Sequence, residues 1–513
     1  MKNILGRELP DFIEGYGKVK PFEGAFENCG VVEKKSVKVK SVIPGEEKVL
    51  KSVEEAIEKV ELKDGMTISF HHHLRNGDYV LNMVMEAIAK KGIKDITIAA
   101  SSIFPIHEPL VEYMKQGIVT GVYANYMSGP VAEAISKGCL KNPAVMMTHG
   151  GRPRAIESGD LHIDVAFLAA PTADTYGNVN GTEGKSACGA LGYSICDAEY
   201  ADKVVAITDN LVPYPASPIE ISQIYVDYVV NVESIGDPAG IVSGTTRITK
   251  DPVGLKIAKM ATEVIEASGL VKDGISFQTG AGGTSLAVAA ELKEVMKKKG
   301  VVGSFAAGGV TGYIVEMFEE GLFKSIFDVQ CFDLKAAESY KKNSAHMPMS
   351  SSMYGNPHNK GAVVNNLDVM ILGATEIDTD FNVNVTTGSD GVIMGGSGGH
   401  SDTAAGSKLS IIVTNLVKAR LPIIKDKVTT ITTPGESIDV IVTERGIAVN
   451  PRRKDLIEKL KETNLPVMTI EELKELAEKM TGTPNPIETT DEIVAVIEYR
   501  DGTVIDVVKK PLE

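Results

Sequence analysis

"DVAFLAAPTADTYGNVN", Asp164 to Asn180, aligns without a gap on "DVMILGATEIDTDFNVN", Asp368 to Asn384. Asp164 and Asp368, Asp174 and Asp378, Thr175 and Thr379, and Asn178-Val179-Asn180 and Asn382-Val383-Asn384 coincide. Upstream of each copy a turn feeds a short β-branched and aromatic strand: "KDGMTISF" from Lys63 and "KDGISF" from Lys272. Downstream, "KVVAIT" at Lys203 and "VDYVV" at Val226 pair with "KVTTIT" at Lys427 and "IDVIV" at Ile438. Blocks that recur in one order, about two hundred residues apart, indicate a duplicated unit. Short apolar runs alternating with amphipathic helices make each unit a parallel βαβ system. The expected fold is therefore α/β: two tandem, internally duplicated domains with parallel-rich sheets. Residues 1–50 read as an N-terminal arm, 51–236 as the first domain and 237–513 as the second. "TIEELKELAEKMTG" and "EIVAVIEYRDGTVIDVV" read as a helix and a hairpin closing the second domain, with the hairpin turn at Asp501-Gly502.

The totals agree with that layout. A chain of 513 residues exceeds one domain, and 43% hydrophobic content supplies ample core. With no Trp and 50 Gly, small aliphatic side chains fill the interior and glycine the turns. A net charge of −15 excludes a general nucleic-acid binder. The five cysteines form no CxxC pair, so neither a disulfide framework nor a zinc knuckle is expected. The first residues carry charges and a proline where an export signal needs an apolar run, and no long apolar span follows. A reduced, cytoplasmic protein that does not enter a membrane is the expectation.

Ligands of open α/β sheets bind beyond the carboxyl ends of strands. Two loops occupy that place in their halves: "TISFHHHLRNGD", with His71, His72, His73 and Arg75, and "QTGAGGTS", with Gly280, Gly282 and Gly283. The histidines are either a grip for carboxylates or a polar corner satisfied by backbone. A metal site is disfavoured, because successive strand residues face opposite sides. The glycines let amides converge on one oxygen, or simply make a tight turn. "IMGGSGGHSDTAAG" crowds Gly395, Gly396, Gly398 and Gly399 ahead of His400 and Asp402. That density suits backbone contact with a thioester or cofactor. "MTHGGRPRAIESGD" sets His149, Arg152 and Arg154 beside a glycine pair, a pattern suited to carboxylates or to a plain surface loop.

These loops, with "GRELPDFIEGYGKVKPFEGAF", "GNVNGTEGKSACGALGY" and "GGVTGYIVEMFEEGLF", resemble the citrate lyase α-subunit family from end to end. More distantly, "GGSGGHSD" and "VIVTERGIAV" resemble CoA-transferases of the acetate and 4-hydroxybutyrate type. The resemblance implies a CoA-transferase-like fold and exchange of acetate for citrate on the acetyl thioester of an acyl carrier protein. It implies no tightly bound cofactor and no metal. The thioester belongs to CoA or to a phosphoribosyl-dephospho-CoA group on a γ carrier subunit, and a β subunit cleaves the citryl product within an oligomeric complex. Many CoA-transferases form a glutamyl thioester, but Gly312 falls at that place, which favours direct exchange between citrate and the thioester. Glu316, one helical turn on, keeps a shifted covalent nucleophile open, and citramalate is an alternative substrate. On this reading Gly280, Gly282 and Gly283 serve the oxyanion, and His71, His72, His73, Arg75, His149, Arg152 and Arg154 hold citrate. Gly395, Gly396, Gly398, Gly399, His400 and Asp402 then face the thioester arm.

Overall fold

The computed structural model describes residues 1–27, 32–37, 40–71, 73–242 and 247–512. His72 and Cys29 lie outside the described residues.

Two large sheets carry the molecule. From Ala144–Met146, the first runs through Val119–Ala124, Ile96–Ala100 and Thr67–Phe70, then Val165–Ala170, Lys203–Thr208 and Tyr228–Asn231. From His346–Pro348, the second runs through Phe323–Cys331, Gly303–Val310 and Ser276–Thr279, then Val369–Leu372, Leu409–Val413 and Val440–Val442. The succession is the same in both, and every pairing along these runs is parallel. Strands such as Val165–Ala170 are buried on both faces, which accounts for runs without alternation.

The coinciding residues of the two copies do the same local work. Asp164 accepts the Thr67 N–H at 2.7 Å and Asp368 the Ser276 N–H at 2.9 Å, each tying the central strand to its neighbour. Asp174 accepts from the Asn178 N–H at 3.1 Å and Asp378 from the Asn382 N–H at 3.0 Å, closing one turn in each copy. Asp227 takes the Val204 N–H at 2.8 Å, and Asp439 the Ser410 N–H at 2.9 Å. The "KVVAIT" match is a correction. The counterpart of Lys203–Thr208 is Leu409–Val413, whereas the residues from Lys427 to Thr432 form an irregular segment.

Both ends of the chain are placed differently from expectation. The hairpin Thr489–Glu498 and Val504–Pro511 does not close the second half; it pairs in parallel with Ala144–Met146 and extends the first sheet. A strand's register is set by the apolar face it must bury, and here that face lies in the other half. Leu9, Ile13 and Val19 pack on Val496 and Val504 of this hairpin, and Val49–Leu50 is the far edge strand of the first sheet. The expected arm is thus part of the first half's packing. Among the described residues no helix is long and apolar enough to cross a membrane.

Candidate active site

The order of each sheet reverses beside its central strand, between Thr67–Phe70 and Val165–Ala170 and again between Ser276–Thr279 and Val369–Leu372. At such switch points two loops part and leave a crevice. The histidine loop leaves the first central strand and the Gly280 loop the second.

Arg75 occupies the seam between the halves. Its backbone is left-handed, with φ +53°, a conformation few non-glycine residues adopt. Its guanidinium lies 5.5 Å from the Phe104 ring and 4.7 Å from the ring of Phe332 in the other half. Nη1 is buried with no hydrogen-bond partner, and burial lowers the pKa of the group. A desolvated cation between two phenyl faces is held in place, yet its planar donor fork keeps capacity for a carboxylate.

Burial disfavours the charged form of His71 and His73. The Ala169 N–H donates to His71 Nε2 at 2.6 Å, so His71 carries its proton on Nδ1, 2.7 Å from His73 Nδ1. Burial lowers the His71 pKa to about 4 and the His73 pKa well below its ordinary value. Neutral imidazoles bring no positive charge to a carboxylate grip, although they still offer hydrogen bonds. Tyr193 stands between His73 and His149, with ring centroids 5.6 and 4.7 Å away. Burial, then Arg152, holds the His149 pKa near about 3.

Arg152 and Arg154 are engaged elsewhere. Arg152 grips Asp197 with two bonds, 2.6 and 2.9 Å, and donates to the Ala99 carbonyl at 2.8 Å. Arg154 pairs with Asp160 at 2.7 Å and packs under Gly502 of the hairpin turn. Both guanidiniums hold the helix Gly151–Ser158 in place.

The glycine-dense loop stitches the halves together. The Met127 N–H donates to the Gly395 carbonyl at 3.1 Å, the Gly398 N–H to that of Asn125 at 3.1 Å, and the His149 N–H to that of Gly398 at 2.8 Å. A Cβ on Gly396 would overlap the Asn125 carbonyl, and one on Gly399 would overlap the Tyr354 hydroxyl. Glycine is required because one backbone threads another. Asp402 ends this clasp, accepting from Thr148 Oγ1 and the Gly150 N–H at 2.9 Å each, with Arg500 Nε 3.5 Å away. Burial raises its pKa to about 6. His400 lies 2.7 Å from Thr433 Oγ1 and 2.9 Å from the Gly373 carbonyl.

The Gly280 loop is open by contrast. Gly282 begins the helix Gly283–Lys299 with no side-chain cap, and the nearest atom to a Cβ there would be Ser285 Oγ at 3.7 Å. Uncapped amides at a long helix's start favour a negative oxygen. Glu316 lies on the outer face of helix Gly312–Glu319, 2.8 Å from Lys335 Nζ. Four residues emerge only from the structure: Phe104 and Phe332 around Arg75, and Gln278 bonded to Tyr354 at 2.7 Å. Gln278 directly precedes "TGAGG", so its proximity to the glycine loop was a usable signal.

Comparison with known proteins accords with this architecture. Residues 46–511 match the family model "Citrate lyase, alpha subunit (CitF)". The citrate lyase alpha chain of Haemophilus influenzae is 52% identical over 461 residues, covering 90% of this chain and 92% of the relative. The alpha subunit of citrate lyase from Streptococcus mutans, solved in complex with citrate, superposes with a TM-score of 0.96 at 53% identity over 100% of both chains. A 4-hydroxybutyrate CoA-transferase from Porphyromonas gingivalis shares the fold, with a TM-score of 0.53 and 17% identity over 84% of this chain and 96% of that one. The chain belongs to the citrate lyase alpha-subunit family.

Proposed function

We propose that this chain is the citrate CoA-transferase component of a citrate lyase, exchanging acetate for citrate on the acetyl thioester of an acyl carrier protein. The observation that carries the reading is Arg75, a desolvated guanidinium at the interdomain seam whose buried Nη1 has no hydrogen-bond partner among the described residues. A citrate carboxylate satisfies it. That the Streptococcus mutans relative was solved with citrate supports the same ligand here.

The exchange proceeds by direct attack. A citrate carboxylate oxygen adds to the acetyl carbonyl, and the amides of Gly280, Gly282 and Gly283 receive the oxyanion. Such preorganised donors are typically the largest electrostatic contribution to acyl transfer. The thiolate leaves and then attacks the citryl carbonyl of the mixed anhydride, releasing acetate and forming the citryl thioester. Holding both reactants in one crevice substitutes for a covalent nucleophile. Glu316, paired with Lys335 on the outer face of its helix, is poorly placed for a glutamyl thioester. The clasp from Gly395 to Asp402 sets the wall along which the thiol arm lies. The arm is CoA or the phosphoribosyl-dephospho-CoA of a γ carrier, a β subunit consumes the citryl product, and the complex works in the cytoplasm.

The test is transfer by the purified chain from acetyl-CoA to citrate, with citramalate as competitor and borohydride reduction as a trap. Citryl-CoA and acetate should form in equal amounts with no reduced glutamate. Failure to form citryl-CoA, or a mass change at Glu316, would refute the corresponding part.

A further inference from the structure

Gln278 and Tyr354 form a second, smaller polar feature at the seam. The Gln278 Nε2–H donates to Tyr354 Oη at 2.7 Å, and the residues are only 5% and 2% exposed. Two glycines are kept bare around the pair. Gly308, with φ +105°, makes room for the amide, and Gly399 of the clasp for the hydroxyl; a Cβ on either would overlap them.

The pair is incompletely matched. Gln278 Oε1 is buried with no hydrogen-bond partner. Tyr354 Oη accepts from Gln278, so its own proton remains to be donated, and burial pushes the phenol's pKa up and keeps that proton on. The pair therefore keeps an unmet acceptor at Gln278 Oε1 and an unmet donor at the Tyr354 hydroxyl, with the second N–H of the amide as further donor capacity. Rotating the amide by a half turn exchanges their places but leaves one of each. Leaving such groups unmet costs about 1–3 kcal/mol apiece. The complement of an adjacent donor and acceptor is one atom that both gives and takes a hydrogen bond, as a ligand hydroxyl does in place of a bound water. A carboxylate only accepts, and a secondary amide presents its N–H and C=O in opposite directions.

Resting on the proposed transfer reaction, we infer that Gln278 and Tyr354 read the tertiary hydroxyl of the tricarboxylate substrate while Arg75 takes a carboxylate. Tyr193 packs in one cluster with Tyr354, and its ring lies 5.6 Å from that of His73, two residues before Arg75, so the pair and the guanidinium belong to one neighbourhood. A site built to bond a substrate hydroxyl rejects the analogue that lacks it, since the buried groups are then left unpaired.

The probe is tricarballylate, which keeps three carboxylates and lacks the hydroxyl. Calorimetric titration of the full chain should show citrate binding about 100-fold more tightly than tricarballylate. Gln278→Met and Tyr354→Phe should each reduce that preference to a few-fold, mainly by weakening citrate. Equal affinities in the wild type overturn the inference without any variant, as does a preference that both folded variants retain. The transfer reading fails separately, if citrate binds with this preference but no citryl-CoA forms.

Discussion

Three arginines near glycine pairs or histidines offer the same chemistry in the sequence and meet three different fates. Arg75 is stacked between rings with a donor left over, Arg152 is locked to Asp197, and Arg154 is tied to Asp160. Asp160 lies six residues after Arg154, within the same stretch, whereas Asp197 is 45 residues from Arg152 and reaches it only through the fold. Local pattern could nominate the arginines but not reveal that Arg152 is locked away by a distant carboxylate or that Arg75 sits between two rings. Arg152→Met should destabilise the chain by about 3–5 kcal/mol, since Asp197 is left charged and buried. Urea unfolding should show it, and a second change, Asp197→Leu, should restore part of the loss. Stability within 1 kcal/mol or so of wild type would mean the pair is not the anchor its geometry indicates.

At the scale of elements, the two copies of the Asp–Asn turn were legible because the bonds that close each turn span only four residues. The clasp was legible as a special backbone but not as to purpose. Glycine density says that something approaches closely, and the structure shows that the something is the other half of the same chain. His400 within it has its pKa lowered from 6.5 to about 4 by burial, so it is neutral when folded. The unfolded chain takes up that proton first on acidification. Stability is thus complete above pH 6.5 and falls as the pH drops toward 4. His400→Gln removes this contribution, so the stability gap to wild type should narrow by about 1 kcal/mol per pH unit in that window. Urea titrations at pH 7.5 and about 5 measure it, and a constant gap would assign the slope elsewhere.

For the whole molecule, the duplicated pattern led to the parallel α/β class, and the matched strand order bears out that class. The final hairpin was recognisable as a hairpin from Asp501-Gly502, yet its destination was not, because a strand's partner in a parallel sheet is set by three-dimensional packing. Its place has a consequence. Removing residues after Thr483 takes two strands and Arg500 from the first sheet and uncovers Leu9, Ile13 and Val19. The shortened chain should aggregate or melt without cooperativity in scanning calorimetry, although the lost segment follows the second half in sequence. A monodisperse, cooperatively folded product would show the hairpin to be dispensable.

The proposed transfer reaction has citrate and thioester meet between the two switch points, with Arg75 as the carboxylate grip. Steady-state transfer by Arg75→Ala, with citrate and acetyl-CoA varied in turn, tests this most directly. The KM for citrate should rise about 10–100-fold while that for acetyl-CoA changes little. Equal rises in both, or no rise for citrate, would contradict it.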